Sequence, residues 1–253
     1  MKTNRPSVSV IVPVRDRSGV RLENCLRSVR WQQIDQARVE IIVSDFGSHP
    51  DHARSIDELA ATYACRVRRV ATREVWNRSR ALNIGIRAAT GDYALCTDAD
   101  MIFAPNFLAA TLAAHHRAAD RSFVVCRCHD LPQSVPLQLW GEEDFARLRA
   151  RASLRQTFGT GACQSAARSF FECVRGYDEK YLFWGKEDTD MFVRAMHCGL
   201  DLIWIDGTTG MLHQWHRKRK QDAQFFWTLN RVRFALTKNK IVKNSHGWGA
   251  STG

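Results

Sequence analysis

Residues 92–103 read DYALCTDADMIF: an apolar strand that runs straight into two aspartates, Asp98 and Asp100, separated by a single residue. On an extended segment two such carboxylates can approach one point only if the chain bends after the strand, and a loop exit permits that bend. The stretch before it, NRSRALNIGIRAAT (77–90), has helical spacing of Ala81, Leu82, Ile84, Gly85 and Ala88, and it stops at Gly91. Further upstream, SVSVIVPV (7–14) and VEIIVSDFGS (39–48) read as buried strands, and LENCLRSVRWQQ (22–33) and DELAATYA (57–64) read as helices. CRVRRV (65–70) is a short third strand. This alternation predicts an α/β fold with a mainly parallel sheet covered by helices on both faces. Ligands of such sheets bind beyond the carboxyl ends of the strands. Asp45, Asp98 and Asp100 all fall at those ends and are expected to converge on one cleft.

The rest of the chain is less regular. A helix is expected to about Arg117, then a strand, SFVVCR (122–127), and an irregular Pro-containing stretch over 131–140. FGTGACQSAARSFFECVRGYDEKYLFWGKEDTDMFVRAMHCG (158–199) predicts a small-residue strand, a helix, a turn at Arg175–Gly176, an aromatic loop and a helix from about Glu187. LDLIWID (200–206) is another strand, and HQWHRKRK (213–220) follows it. The segment 222–240 reads as a helix with Phe225, Leu229, Val232 and Leu236 on one stripe and a basic flank, and the residues closing the chain are expected to fray. The chain is expected to divide into residues 1–130, residues 131–220, and a C-terminal helix and tail (221–253).

With 253 residues, 45% hydrophobic and 25% charged, the chain is an ordinary globular length and composition. No apolar run is long enough to span a membrane, and the N-terminus lacks a signal-peptide core, so the expected location is the cytoplasm. Eight scattered cysteines without a Cys-x-x-Cys pair predict buried free thiols. A net charge of +11, with local clusters at Arg66–Arg69 and His216–Lys220, calls for an anionic partner. Nucleic acid is not favoured, because aromatic and basic residues are not interleaved in any recognisable motif. The His-x-x-His of HQWH lacks the glutamate and spacing of a zinc protease. VPVRDRSG is not the Gly-rich phosphate loop that a nucleotidyltransferase needs.

Carboxylate pairs such as Asp98/Asp100 suit Mg²⁺ or Mn²⁺, and the addition of one or two imidazoles, His213 and His216, favours Mn²⁺ over a closed zinc site. In WGKEDTDM, the acids Glu187, Asp188 and Asp190 open a helix behind an aromatic–glycine loop. They can satisfy its free N–H groups, and one can serve as a general base. Trp184 offers a flat face to a sugar ring.

In order along residues 7–220, VIVPVRDR, IIVSDFGS, WNRSRALNIG, TDADM, FGTGACQSAARSFFECVRGYDEKYLFWGKEDTDMFVRA and HQWH resemble nucleotide-sugar glycosyltransferases of the GT-A fold. The first half is similar to family 2 enzymes, and the whole to the β-1,4-galactosyltransferase and chondroitin-synthase group. The resemblance implies that Pro13, Arg15 and Arg17 meet the nucleotide and its phosphates, that Asp45 reads uracil and that Arg78 lies near the diphosphate. It gives Asp98 a nucleotide-side role and makes Asp100, His213 and His216 the Mn²⁺ (or Mg²⁺) ligands. It places Trp184, Glu187, Gly159 and Gly161 against the sugars and makes Asp188 the catalytic base of an inverting transfer. The implied partners are a UDP-sugar and a glycan, lipid-linked, peptide or small-molecule acceptor. The basic C-terminal helix is a candidate peripheral contact with the inner membrane face. A weak or inactive relative that only binds nucleotide or glycan, and a retaining transferase on the same fold, stay open as alternatives. Two departures stand out: Phe46 where many family 2 members carry a second aspartate, and Lys186 where a glycine is usual.

Overall fold

A computed structural model describes residues 7–156, 161–217 and 223–250, with the side chains of residues 223 and 224 excepted. The elements run β1 (Val8–Val14), α1 (Val20–Arg30), β2 (Val39–Phe46), α2 (Pro50–Thr62), β3 (Arg66–Val70), α3 (Arg78–Ala88), β4 (Tyr93–Thr97), β5 (Met101–Phe103) and α4 (Phe107–Arg117). They continue with β6 (Ser122–Val125), β7 (Cys128–Asp130), α5 (Phe145–Arg151), β8 (Ser153–Leu154), β9 (Cys163–Ala167), α6 (Arg168–Val174), α7 (Glu187–His197), β10 (Asp201–Trp204), β11 (Met211–His213) and α8 (Ala223–Thr237).

The main sheet has seven strands in the order β10-β6-β9-β4-β1-β2-β3. Four of its six neighbouring pairs are parallel, and β9 runs antiparallel between β4 and β6. Every residue of β1 and β2 is buried, because helices cover both faces of a central parallel strand. Val8, Val10, Val12 and Val14 pack with α1, α2 and α4 on one face. Ile11 and Ile42 pack with α3, α6 and α7 on the other. Each such side chain contributes about 1.5–3 kcal/mol of burial, so this alternation fixes which face each helix takes.

The predicted mainly parallel sheet flanked by helices is therefore present, with a second sheet beside it that the sequence pattern did not reveal. Its order is β5-β11-β7-β8, from strands of two or three residues. Segments that short carry no periodicity to read. They exist because Ile102, Leu131, Trp140, Phe145, Leu148 and Leu212 form a small core of their own.

Three further expectations are corrected. The chain end does not fray through residue 249: Asn244 donates to the Arg175 and Tyr177 carbonyls, Trp248 packs against Arg87, and the Gly249 N–H donates to Glu179. Of the eight cysteines, all free, five are buried, Cys65 is half-buried, and Cys173 on α6 and Cys198 just after α7 are exposed. Two of the three arginines of the basic cluster at 66–69 are paired with the protein's own acids, Arg66 with Glu40 and Arg69 with Asp45 and Asp57. Lys218–Lys220 lie outside the described residues.

Candidate active site

The bend demanded by the Asp-x-Asp stretch is real. β4 ends at Thr97 in the main sheet, the chain turns through 98–100, and Met101 begins β5 in the second sheet. Antiparallel pairing of β5 with β11 then sets His213 opposite Met101, and the Gln214 N–H donates to the Asp100 carbonyl at 3.0 Å. One turn thus carries Asp100 to the histidines 113 and 116 residues later in the chain.

HQWH is held from below. The Gln214 side chain is buried, accepts from Asn24 at 2.9 Å and donates to the Arg21 carbonyl at 3.0 Å. Arg21 in turn donates to the Trp215 carbonyl. Because Gln214 faces inward, His213 and His216 turn together toward Asp100. Their Nε2 atoms stand 3.8 and 3.2 Å from Asp100 Oδ2, and one ligand atom from each of the three lies within 4.8 Å of the others. One carboxylate and two imidazoles at that spacing can hold a divalent transition-metal cation.

Burial works to raise the Asp100 carboxyl, but the His216 hydrogen bond and the charges of His213, His216 and Arg17 outweigh it and hold it below its ordinary value. His216 is raised by its hydrogen bond to Asp100, whereas burial lowers His213. His213 Nδ1 meets Asp130 Oδ1 at 3.0 Å, and Arg155 donates to both Asp130 oxygens. Burial acts to raise Asp130, but Arg155 and His213 pull it down, so it stays an anion. An imidazole that donates Nδ1–H to a carboxylate leaves Nε2 as the ligand atom. Neither Asp130 nor Arg155 was singled out from the sequence. The available signal was an acid at a strand's carboxyl end, as at Asp45 and Asp98, but β7 is too short to be recognised.

A second group sits on the main-sheet side of the turn. Arg78 begins α3, which Asn77 caps by accepting from the Arg80 N–H at 2.9 Å. It is buried; its Nε donates to Asp98 Oδ1 at 2.8 Å, its Nη2 donates to the Gly161 carbonyl at 2.6 Å, and its Nη1 lies 3.7 Å from Glu187 Oε1. Arg78 Nη1 and Glu187 Oε2 have no hydrogen-bond partner although both are buried. Unspent polar atoms in one place are what a bound polar ligand would use. Burial, with the Asp188 charge added, pushes the Glu187 carboxyl up to about 7 despite Arg78. Near neutral pH it can therefore either donate or accept a hydrogen bond.

Asp188 is half-buried. Its Oδ1 accepts from the Thr189 N–H at 2.7 Å, while its Oδ2 faces Gly161, where a Cβ would stand 3.4 Å away. The peptide carbonyl of Asp188 is held by Gln164, itself held by Tyr177. Trp184, half-exposed, lies on the loop before α7. That loop places Phe183, Gly185 and Lys186 at positive φ. Lys186, at φ 74°, thus adopts the backbone for which the usual glycine is suited, and its ammonium lies 5.5 Å over the Phe234 ring.

The remaining expected residues line the same edge. Pro13 is buried, Arg15 donates to the Glu74 carbonyl, and Arg17 is exposed near Asp100. Asp45 is paired with Val14 in the β1–β2 register, two strands from β4 and so about 10 Å from Asp98. It is fully buried, with Oδ2 accepting from Arg69 at 2.6 Å and Oδ1 from the Ser48 N–H at 3.0 Å. The structure thus brings together Asp100, His213 and His216, and separately Arg78, Asp98, Gly161, Glu187 and Asp188. It leaves Asp45 in a polar cluster with Arg69 and Asp57. Gly159 lies outside the described residues.

Comparison with known proteins bears on the family and the fold. The family model for glycosyl transferase family 2 matches residues 9–175, and that for the N-terminal domain of galactosyltransferase matches residues 144–218. Human chondroitin sulfate N-acetylgalactosaminyltransferase 2 is 27% identical over 191 residues, covering 70% of this chain and 33% of the relative. Its Mus musculus counterpart is 26% identical over an alignment of 260 positions, covering 96% of this chain and 45% of the relative. The chain spans less than half the length of these curated relatives. Among solved structures, GalNAc-T7 with UDP, GalNAc and Mn²⁺ superposes with TM-score 0.71 at 19% identity, over 93% of this chain and 48% of that one. The mannosyltransferase PcManGT from Pyrobaculum calidifontis, with GDP-Man and Mn²⁺, gives 0.61 at 20%, over 93% and 64%. The likeness to the solved structures extends over nearly the whole chain and shows a GT-A fold; with the family match over residues 9–175, it follows that this chain belongs to glycosyl transferase family 2.

Proposed function

We propose that the chain moves a sugar from a UDP-sugar to an acceptor hydroxyl, with Mn²⁺ (or Mg²⁺) at Asp100, His213 and His216 and with inversion at the anomeric carbon. The observation that carries this reading is the pairing of a divalent-cation donor set with a separate acid cluster, Glu187 and Asp188, on either side of one turn. Bound there, a divalent cation neutralises charge that builds on a departing diphosphate.

The protein's own groups supply the rest. Arg78, fixed by Asp98 and Gly161, keeps one N–H free for a phosphate or sugar oxygen. Arg17 adds positive charge beside Asp100. Glu187 binds a sugar hydroxyl through its unspent Oε2. Asp188 accepts the acceptor hydroxyl's proton at Oδ2, the oxygen that Gly161 leaves uncrowded, as that hydroxyl attacks the anomeric carbon. Trp184 stacks against a sugar ring and helps keep water out. UDP is favoured because the GalNAc-T7 structure holds it; PcManGT holds a GDP-sugar, so both nucleotides belong in the test.

The test is nucleotide release from a panel of UDP- and GDP-sugars, beginning with UDP-GalNAc, in Mn²⁺ and in EDTA. Release of UDP from one donor, lost with EDTA and in Asp100→Ala, is the expected result. Absence of release and of UDP binding by calorimetry would overturn the reading. Product anomer by NMR then decides inversion.

A further inference from the structure

α8 has two unlike faces. One clasps the loop that leads into Glu187 and Asp188: Asn230 is buried and donates to the carbonyls of Leu182 and Trp184 at 2.9 and 3.0 Å. Phe226 stacks on Phe183 at 5.8 Å, and Arg233 is bidentate on the buried Asp178. The other face carries Phe225, Leu229, Val232 and Leu236, exposed by 65, 47, 55 and 80%. At 100° per residue these four fall within an arc of about 60°, a continuous apolar stripe over three turns. Scattered exposed leucines need no explanation, but an aligned stripe of this size marks a contact surface.

Charge indicates what the surface meets. Residues 223–250 contain no Asp or Glu, and among them Arg231, Lys238 and Lys240 are exposed beside or just beyond the stripe. Arg217, also exposed, precedes the helix. An apolar stripe on a segment whose charged side chains are all cations is the pattern of a helix that lies in the headgroup layer of an anionic bilayer. A second copy of the chain would bring the same cations face to face. Among the described residues no helix is long and apolar enough to cross a membrane, so the contact is parallel to the surface.

We propose that α8 docks this protein on an anionic phospholipid surface, with Phe225, Leu229, Val232 and Leu236 inserted among the headgroups. Because the opposite face of the helix holds the Trp184 loop, docking sets the acceptor side of the transfer site at that surface. This last consequence rests on the function proposed above, whereas lipid binding itself does not.

The test is sedimentation of the full chain with vesicles of phosphatidylcholine alone and of phosphatidylcholine mixed with phosphatidylglycerol. Binding is expected on the mixed vesicles only, weakening as salt rises. Leu229→Ser/Leu236→Ser and, separately, Lys238→Glu/Lys240→Glu are each expected to weaken it roughly tenfold or more. Both pairs are exposed, so melting temperature and UDP calorimetry should match the parent protein. No binding to anionic vesicles, or binding unchanged by both double substitutions, would overturn the proposal. So would a lipid-free dimer in sedimentation velocity that Leu229→Ser/Leu236→Ser dissociates, since a second copy would then cover the stripe. If vesicles bind but no donor releases nucleotide, the transfer reading fails and the docking surface stands.

Discussion

Asp98 and Asp100 are separated by one residue, yet they face different partners: Asp98 the guanidinium of Arg78, Asp100 the imidazoles of His213 and His216. The turn between two sheets divides them. Asp130 orients one of those imidazoles without reaching the ligand cluster itself. Asp130→Asn is therefore expected to weaken Mn²⁺ binding about 10–100-fold, measured by calorimetry on the nucleotide-free protein. An unchanged affinity would remove Asp130 from the site. If Asp188 is the base of the proposed transfer, Asp188→Asn should lower turnover about 10²–10⁴-fold while leaving UDP affinity within a factor of about two, because it would remove a proton acceptor and no phosphate contact. If both parameters fall together, Asp188 acts on binding instead.

At the scale of elements, close approach decides where α3 lies. A Cβ on Gly85 would stand 2.4 Å from Ile11 Cγ2, so the glycine lets α3 sit directly on β1 and carries Arg78 at its N-terminus to the turn. Gly85→Ala gains helix propensity of about 1 kcal/mol yet must push the helix or Ile11 aside. The clash should win, with a net loss of about 1–3 kcal/mol in denaturant unfolding. A neutral or stabilising result would mean that Ile11 repacks at no cost. Asn230 is the equivalent tie for α8. Asn230→Ala leaves two loop carbonyls without their donor, and a rise in acceptor KM larger than any change in donor KM is the expected signature.

For the molecule as a whole, one buried group is expected to make stability depend on pH. His115 is fully buried between α4 and the sheet; its ring nitrogens meet Ser122 Oγ at 2.7 Å and Ser165 Oγ at 2.9 Å, and it stacks on Tyr93. Burial holds it down to about 4 from 6.5. Between those values the unfolded chain takes up a proton that the folded chain refuses, so stability falls as pH falls, by about 3 kcal/mol in total. Unfolding free energies at a series of pH values should show His115→Gln with a shallower slope across pH 6.5–4 than the parent protein. Equal slopes would assign the acid sensitivity to other groups. A second interior feature has a different character. Arg194, Asp190, Lys243 and Asp178 form a buried ion network that ties α7 to the chain end, with Arg233 of α8 on its rim. Removing Asp190 would leave Arg194 buried and charged with no acid beside it, which costs about 3–5 kcal/mol.

Local residue pattern is enough to specify the main sheet, its covering helices and the edge on which the acids gather. Residues 8–14 and 39–46 are rich in β-branched apolar residues and buried on both sides, and α1 buries Leu22, Cys25, Leu26 and Val29 at helical spacing, so local pattern and burial agree. The sequence also supplied Asp100, His213 and His216, since the resemblance that identified them rests on motifs in order along the chain. Tertiary structure alone decided that a second sheet of very short strands would join those three, that Asp130 and Arg155 would stand behind His213, and that the chain end would fold back onto α3. These contacts span dozens to more than a hundred residues of separation, and strands of two or three residues leave no periodic trace. The stripe on α8 was legible as a pattern. Which of its faces the protein would leave uncovered depended on Asn230 and Phe226 finding the loop at 182–186, and only the folded chain settles that.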